Sequence, residues 1–104
     1  MKPLRFVGSS RDDLAAFPER ARRSAGFELW KVQEGLLPAD FRPMPAVGAG
    51  ACEIRLHGGG EWRVIYLTKR AGAVYVLHAF QKKTQSTRYE DIELARRRYG
   101  QIEE

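Results

Sequence analysis

Residues 52–84 read CEIRLHGGGEWRVIYLTKRAGAVYVLHAFQKKT, and this run restricts the possible folds more than any other part of the chain. Its apolar and aromatic content and its period-two alternation predict three successive β-strands, at Cys52–His57, Glu61–Lys69 and Ala73–Phe80. Gly58-Gly59-Gly60 and Arg70-Ala71-Gly72 separate them as turns, where glycine supplies a positive φ. Side chains alternate faces along a strand, so Glu53, Arg55 and His57 share one side and Cys52, Ile54 and Leu56 the other. Arg63 interrupts an otherwise apolar central strand. Between Ile54 and Tyr89 the basic residues are Arg55, Arg63, Lys69, Arg70, Lys82, Lys83 and Arg88, and Glu61 is the one acid. An arginine near the centre of a sheet face needs an anionic ligand or a solvated groove, because an unpaired buried charge costs several kcal/mol.

The flanking segments are arranged to hold this sheet. Leu4–Val7 predicts a further short strand, ended by Gly8. Ser10 and Asp13 resemble a capping signal for a short helix, Arg11–Phe17. Pro18 separates it from a second helix, Glu19–Gln33, with Gly35 as its C-terminal cap. Ala21, Ala25, Leu29 and Val32 fall at helical spacing and are expected to face the sheet. Phe27 and Trp30 lie on another side. They are read as packed by the flanking loop, the alternative being an exposed docking ridge. Residues 37–50, LPADFRPMPAVGAG, predict an ordered crossing loop in which Phe41, Met44 and Val47 are buried. Thr87 with Glu90 fits a capping box for a last helix, Arg88–Tyr99, with Tyr89, Ile92, Ala95 and Tyr99 along one face. Arg96-Arg97-Arg98 then forms a solvated helix end rather than an RNA contact.

At 104 residues a single domain is expected. No run has the length of a membrane span, and the N-terminus lacks a signal-peptide core. Cys52 is the only cysteine. It reads as a small core residue in a reducing, cytoplasmic setting rather than as a nucleophile. Two isolated histidines and one cysteine do not build a zinc site, and no phosphate-binding loop or nucleophile elbow is present. No metal or other cofactor is therefore expected. The net charge of +5 favours a polyanion or an acidic partner.

Several short segments carry a family likeness in order and spacing. They are Phe41-Arg42-Pro43-Met44, Val47-Gly48-Ala49-Gly50, Glu53-Ile54-Arg55, Trp62-Arg63-Val64-Ile65-Tyr66 and Val74 to Thr84. Together they resemble the phage-derived, HigB-like branch of the RelE toxin superfamily. The resemblance implies an α+β fold: a small twisted, mainly antiparallel sheet with N-terminal helices on one face, a C-terminal helix, and a basic RNA-binding face. It implies the toxin of a type II toxin–antitoxin pair, an endoribonuclease that cuts mRNA on the ribosome. Its implied partner is a cognate antitoxin of helix-turn-helix type. By position in the motif, Arg55, Arg63 and Lys83 become the candidate phosphate-binding and catalytic cations, with Tyr89 near the last helix. Lys82, Lys69, Arg70, Arg88 and His78 complete the candidate RNA-binding set. Glu53 departs from the pattern, standing where the name-giving members carry lysine. It reads either as the base for a ribose 2′-OH or as a salt-bridge partner that orients Arg63 or Arg55. His78 lies inside a strand, where a packed, hydrogen-bonded role competes with a catalytic one. Two alternatives stay open beside the nuclease: a non-catalytic RNA- or DNA-binding module, and a phage-derived protein whose cations meet an acidic partner.

Overall fold

The computed structural model describes residues 1–103. The elements are β1 (Leu4–Phe6), α1 (Ser10–Ala15), α2 (Glu19–Gln33), β2 (Phe41–Pro43), β3 (Ala51–His57), β4 (Glu61–Leu67), β5 (Val74–Lys82) and α3 (Tyr89–Tyr99). The five strands form one sheet in the order β1-β5-β4-β3-β2. β1 runs parallel to β5, and every other pairing is antiparallel. The fold is the expected α+β type.

The β3–β4 hairpin turns on Gly58, Gly59 and Gly60, all at positive φ (132°, 65° and 120°), as their sequence requires. The β4–β5 turn differs from expectation, since Gly72 is not among the positive-φ residues. Lys2 Nζ instead pins that turn by donating to the carbonyls of Thr68 (2.5 Å) and Arg70 (2.9 Å).

The period-two pattern divides the sheet residues between two cores. On one face Ile54, Leu56, Val64, Tyr66, Val74 and Val76 pack against Phe17 and the Ala21, Ala25, Leu29, Val32 stripe of α2. Helix α2 is unbroken at Gly26 and closes in a Schellman motif. Gly35, at φ 83°, donates to the Val32 carbonyl (3.0 Å), and Leu36 donates to that of Lys31 (2.8 Å). On the other face Ala51, Ile65 and Leu77 pack against Met44, Val47 and Ala95. That face is therefore half covered, by α3 and the 44–50 loop, rather than wholly open.

A bulge on β5 sets where this face ends. Ile65 pairs with His78 but Tyr66 pairs with Val76, which leaves Leu77 outside the ladder. The freed Leu77 carbonyl accepts a hydrogen bond from Arg98 Nη1 (2.9 Å), and Arg98 Nη2 reaches Ser9 Oγ (2.9 Å). Arg98 is thus buried, contrary to the solvated role expected for the whole arginine run; Arg96 and Arg97 are exposed.

Four further expectations are corrected. Residues 41–43 form an edge strand, where a proline lacking an N–H is tolerated. Ser10 caps nothing. It is buried and donates to the Val76 carbonyl (3.0 Å), while Ser9 Oγ donates to Asp13 (2.9 Å). Phe27 and Trp30 stack on each other at 6.0 Å and stay 60% and 43% exposed, since no loop crosses them. Tyr89 is 71% exposed and leaves Ile92, Ala95 and Tyr99 to pack on the sheet.

Candidate functional site

The uncovered half of the second face lies at the Gly58–Gly60 end of the sheet. Register brings its charges together. Arg55 on β3 sits directly opposite Arg63 on β4, His57 opposite Glu61, and Arg42 on β2 opposite Glu53. Two arginines facing each other across a ladder repel unless carboxylates intervene, and three do.

Glu53 and Arg63 form the buried centre, each with its side chain 2% exposed or less. Arg63 Nε lies 3.7 Å from Glu53 Oε1, Nη2 donates to Glu61 Oε1 (3.1 Å), and Nη1 donates to the Trp62 carbonyl (3.0 Å). Glu53 also accepts a hydrogen bond from Thr87 Oγ1 (2.7 Å) and pairs with Arg42 Nε at 3.4 Å. The capping box expected of Thr87 does not form, because its hydroxyl serves Glu53 and Arg88 occupies the cap position.

From Glu61 the charges continue outward. The His57 ring bridges two carboxylates: Nδ1 meets Glu61 Oε2 (2.8 Å) and Nε2 meets Asp40 Oδ2 (2.7 Å). The hydrogen bonds to Asp40 and then Glu61 raise the His57 pKa above its ordinary 6.5. Those from His57, and then Arg63, lower that of Glu61. Asp40 Oδ1 lies 3.9 Å from Arg55 Nη1, and the Asp40 carbonyl accepts the Arg55 N–H (2.9 Å). The segment carrying Asp40 is fixed by α2, whose buried Glu28 accepts the Ala39 N–H (3.0 Å). The result is a chain of alternating charge: Arg42, Glu53, Arg63, Glu61, His57, Asp40, Arg55.

A cleft of about 300 Å³ borders this chain between β5 and α3, lined by Phe80, Lys82, Lys83, Thr84, Arg88 and Asp91 among others. Lys82 pairs across the ladder with Glu61 and donates to the Gln85 carbonyl (2.6 Å). Lys83 is exposed at the rim. Arg88 lies 3.2 Å from Glu90 and 3.8 Å from Asp91. His78 is buried, stacked on Phe80 at 4.7 Å with Nε2 donating to Asp91 (2.8 Å), which is the packed role rather than an exposed RNA contact. Tyr89 stands beside Arg88 at the start of α3, exposed.

Of the sequence-predicted residues, Glu53, Arg55, Arg63, Lys82, Lys83 and Arg88 therefore share one end of the sheet. Lys69 and Arg70 do not. They follow the far end of β4, roughly 20 Å from Glu61 at strand rise, where Lys69 lies against Gly50 and Arg70 over the Tyr99 ring. Cys52 faces the helix side, partly buried, and burial pushes its thiol pKa up, as suits a packing residue. Sequence reasoning missed His57, Glu61, Asp40 and Thr87 as members of the site. The first two were legible as facing positions across the glycine turn, but the last two meet it only through tertiary packing.

Among the described residues no group of three or more His, Cys, Asp or Glu side chains could hold a metal ion, and no helix is long and apolar enough to cross a membrane. The arrangement can bind an anion through Arg55, Lys82, Lys83 and Arg88 above a buried guanidinium. No curated protein matches the chain. The profile of the phage-derived proteins described as Gp49-like (DUF891) matches residues 12–100, which takes in strands β2 to β5, helices α2 and α3 and most of α1, and the chain belongs to that family.

Proposed function

We propose that this protein is the toxin of a type II toxin–antitoxin pair, a RelE-like endoribonuclease of the HigB-like branch that cleaves mRNA on the ribosome. The observation that carries this reading is the convergence of Lys82, Lys83 and Arg88 on one cleft, at the same end of the sheet as Arg55 and the buried Arg63. Membership in the phage-derived Gp49-like family supports it.

In this reading the RNA 2′-OH attacks the adjacent phosphate. The new 2′-O–P bond forms as the P–O5′ bond breaks, the 2′-OH proton passing to solvent water and the departing 5′-oxygen taking a proton from water, which leaves a 2′,3′-cyclic phosphate and a 5′-OH. Arg55 and Lys83 stabilise the charge that develops on the phosphate oxygens. Lys82 and Arg88 bind flanking phosphates, and Tyr89 offers a ring for a base. Glu53, enclosed by Arg42, Arg63 and Thr87, orients Arg63 rather than accepting the 2′-OH proton. A co-encoded antitoxin, of helix-turn-helix type, silences the activity.

The test has two parts. Induction of the protein alone is expected to arrest growth and shorten mRNA, with relief by the antitoxin. In vitro, 2′-deoxyribose placed at the single nucleotide 5′ to the cut is expected to stop cleavage there. Products ending in 3′-OH, or cutting of the 2′-deoxy substrate at the same phosphate, would reject the mechanism. The burial of Arg63 between two carboxylates favours a second reading, in which the face binds RNA without cutting it. RNA bound tightly but left intact in the same assay would select that reading.

A further inference from the structure

Both nitrogens of His57 face carboxylate oxygens, at 2.7 and 2.8 Å. A neutral imidazole has one N–H and one lone pair, so only the doubly protonated ring can donate to Asp40 and Glu61 together. These two contacts are shorter than those the same carboxylates make to arginine, 3.9 Å from Asp40 to Arg55 and 3.1 Å from Glu61 to Arg63. The carboxylates therefore belong first to the histidine. If His57 loses a proton, one carboxylate faces a lone pair and must turn away, and the nearest cation open to it is the arginine beside it.

We propose that His57 is a positioning residue: protonated, it holds Asp40 and Glu61 together, and deprotonated, it keeps only one of them and releases Asp40 onto Arg55, the exposed cation beside it, which closes that cation to phosphate. This rests on the reading of the face as an RNA site and adds its regulation. The charge count agrees. Arg42, Arg55, Arg63 and protonated His57 oppose Glu53, Glu61 and Asp40, so the connected network changes from one net positive charge to none when the ring deprotonates. The charged groups around the ring come from every side. Asp40 precedes β2, Arg55 shares β3, Glu61 and Arg63 lie on β4, Lys82 on β5 pairs with Glu61, and Arg20 of α2 packs beside Gly58. His57 is half exposed, so its proton exchanges with solvent without unfolding.

The test measures binding of a 2′-O-methyl oligonucleotide, which has no free 2′-OH to attack, at constant ionic strength from about pH 5.5 to about pH 8.5. Histidine NMR titration and cleavage of ordinary RNA are followed on the same samples. Wild-type affinity is expected to fall about tenfold as His57 titrates, the change that a one-unit displacement of its pKa by the ligand gives. The fall is expected to vanish in His57→Gln. It should vanish also in the Asp40→Asn, Glu61→Gln double variant, which stays tight-binding at high pH because no carboxylate is left to swing onto Arg55. The double variant keeps the test decisive should His57→Gln fold poorly. Affinity that is flat across the His57 titration, a fall that persists in His57→Gln, or a ring that does not titrate in this range overturns the inference. RNA that is cut normally with flat affinity overturns it while leaving the nuclease reading in place. Absence of oligonucleotide binding at every pH overturns the inference, and it overturns the nuclease reading too where mRNA on programmed ribosomes is also left intact.

Discussion

At the scale of single residues, the decisive fact is that Arg63 is enclosed. A cation on an open sheet face would contribute little to folding, and its removal would be silent in a melting experiment. With its side chain 2% exposed and that of Glu53 1%, removal of either leaves the other buried with only a partly exposed charge partner, Arg42 for Glu53 and Glu61 for Arg63. Arg63→Ala and Glu53→Ala are each expected to lose about 3–5 kcal/mol in urea unfolding. Loss from both together is expected to fall short of the sum, since the second change removes the charge that the first exposed. Equal stability of Arg63→Ala and the wild type would show that the pair is solvated after all.

The His57–Glu61 pair predicts a pH dependence with a defined sign. His57 is raised above 6.5 in the folded protein, so its stabilisation is complete below that value and is lost as pH rises through the folded pKa. Glu61 is lowered below 4.5, so its stabilisation is present above that value and is lost as pH falls through the folded pKa. The pair therefore contributes most between the two, around pH 4.5 to 6.5. Solvent exposure keeps the effect small. Melting temperatures of wild type and the His57→Gln, Glu61→Gln double variant, followed against pH, are expected to diverge most in that window and to approach each other above it.

At the scale of elements, α3 is anchored to the sheet through one bulge. Leu77 leaves the β4–β5 ladder, and its carbonyl would be an orphan acceptor without Arg98. Gly8, at φ 60°, passes so close that a Cβ there would lie 2.6 Å from Arg98 Nε. Arg98→Met is therefore expected to cost about 1.5–3 kcal/mol, the range for hydrogen bonds from a charged donor. Arg97→Met, one residue away and exposed, is expected to stay within about 0.5 kcal/mol. Chemical denaturation of the two variants side by side checks this. An equal effect would mean that the bulge is satisfied in some other way.

At the scale of the whole molecule, charge is separated along the sheet. Arg55, Lys82, Lys83 and Arg88 gather at the Gly58–Gly60 end, while Lys69 and Arg70 sit at the other. If about four phosphates of a single strand are neutralised at the first end, the logarithm of affinity falls with that of salt concentration at a slope near −3. Lys83→Gln is expected to make that slope shallower by about 0.7. Lys69→Gln is expected to leave it unaltered. A slope that responds equally to both would place RNA along the full length of the sheet.

The sequence by itself determined every element except the edge strand β2, and the faces of most of their residues. The strand alternation at 52–84, the Ala21, Ala25, Leu29, Val32 stripe, the three-glycine turn and the Gly35 cap follow from dihedral preference and periodicity, which act over a few residues and need no distant partner. It also placed Glu53, Arg55 and His57 on one side of a strand, and left open whether Glu53 was a base or a partner for an arginine. Only the tertiary structure shows Glu53 buried and paired with Arg63 and Arg42. Which carboxylate meets which guanidinium depends on cross-strand register, and register depends on where the turns and the β5 bulge fall. Thr87 was legible as a cap and Phe27 with Trp30 as packed residues, because local patterns do not reveal which long-range partner competes for a hydroxyl or whether a loop arrives to cover a ring. The burial of Arg63 had the same origin. A charged residue in an apolar strand signals a site, but whether that site is open or closed is set by what the rest of the chain lays over it.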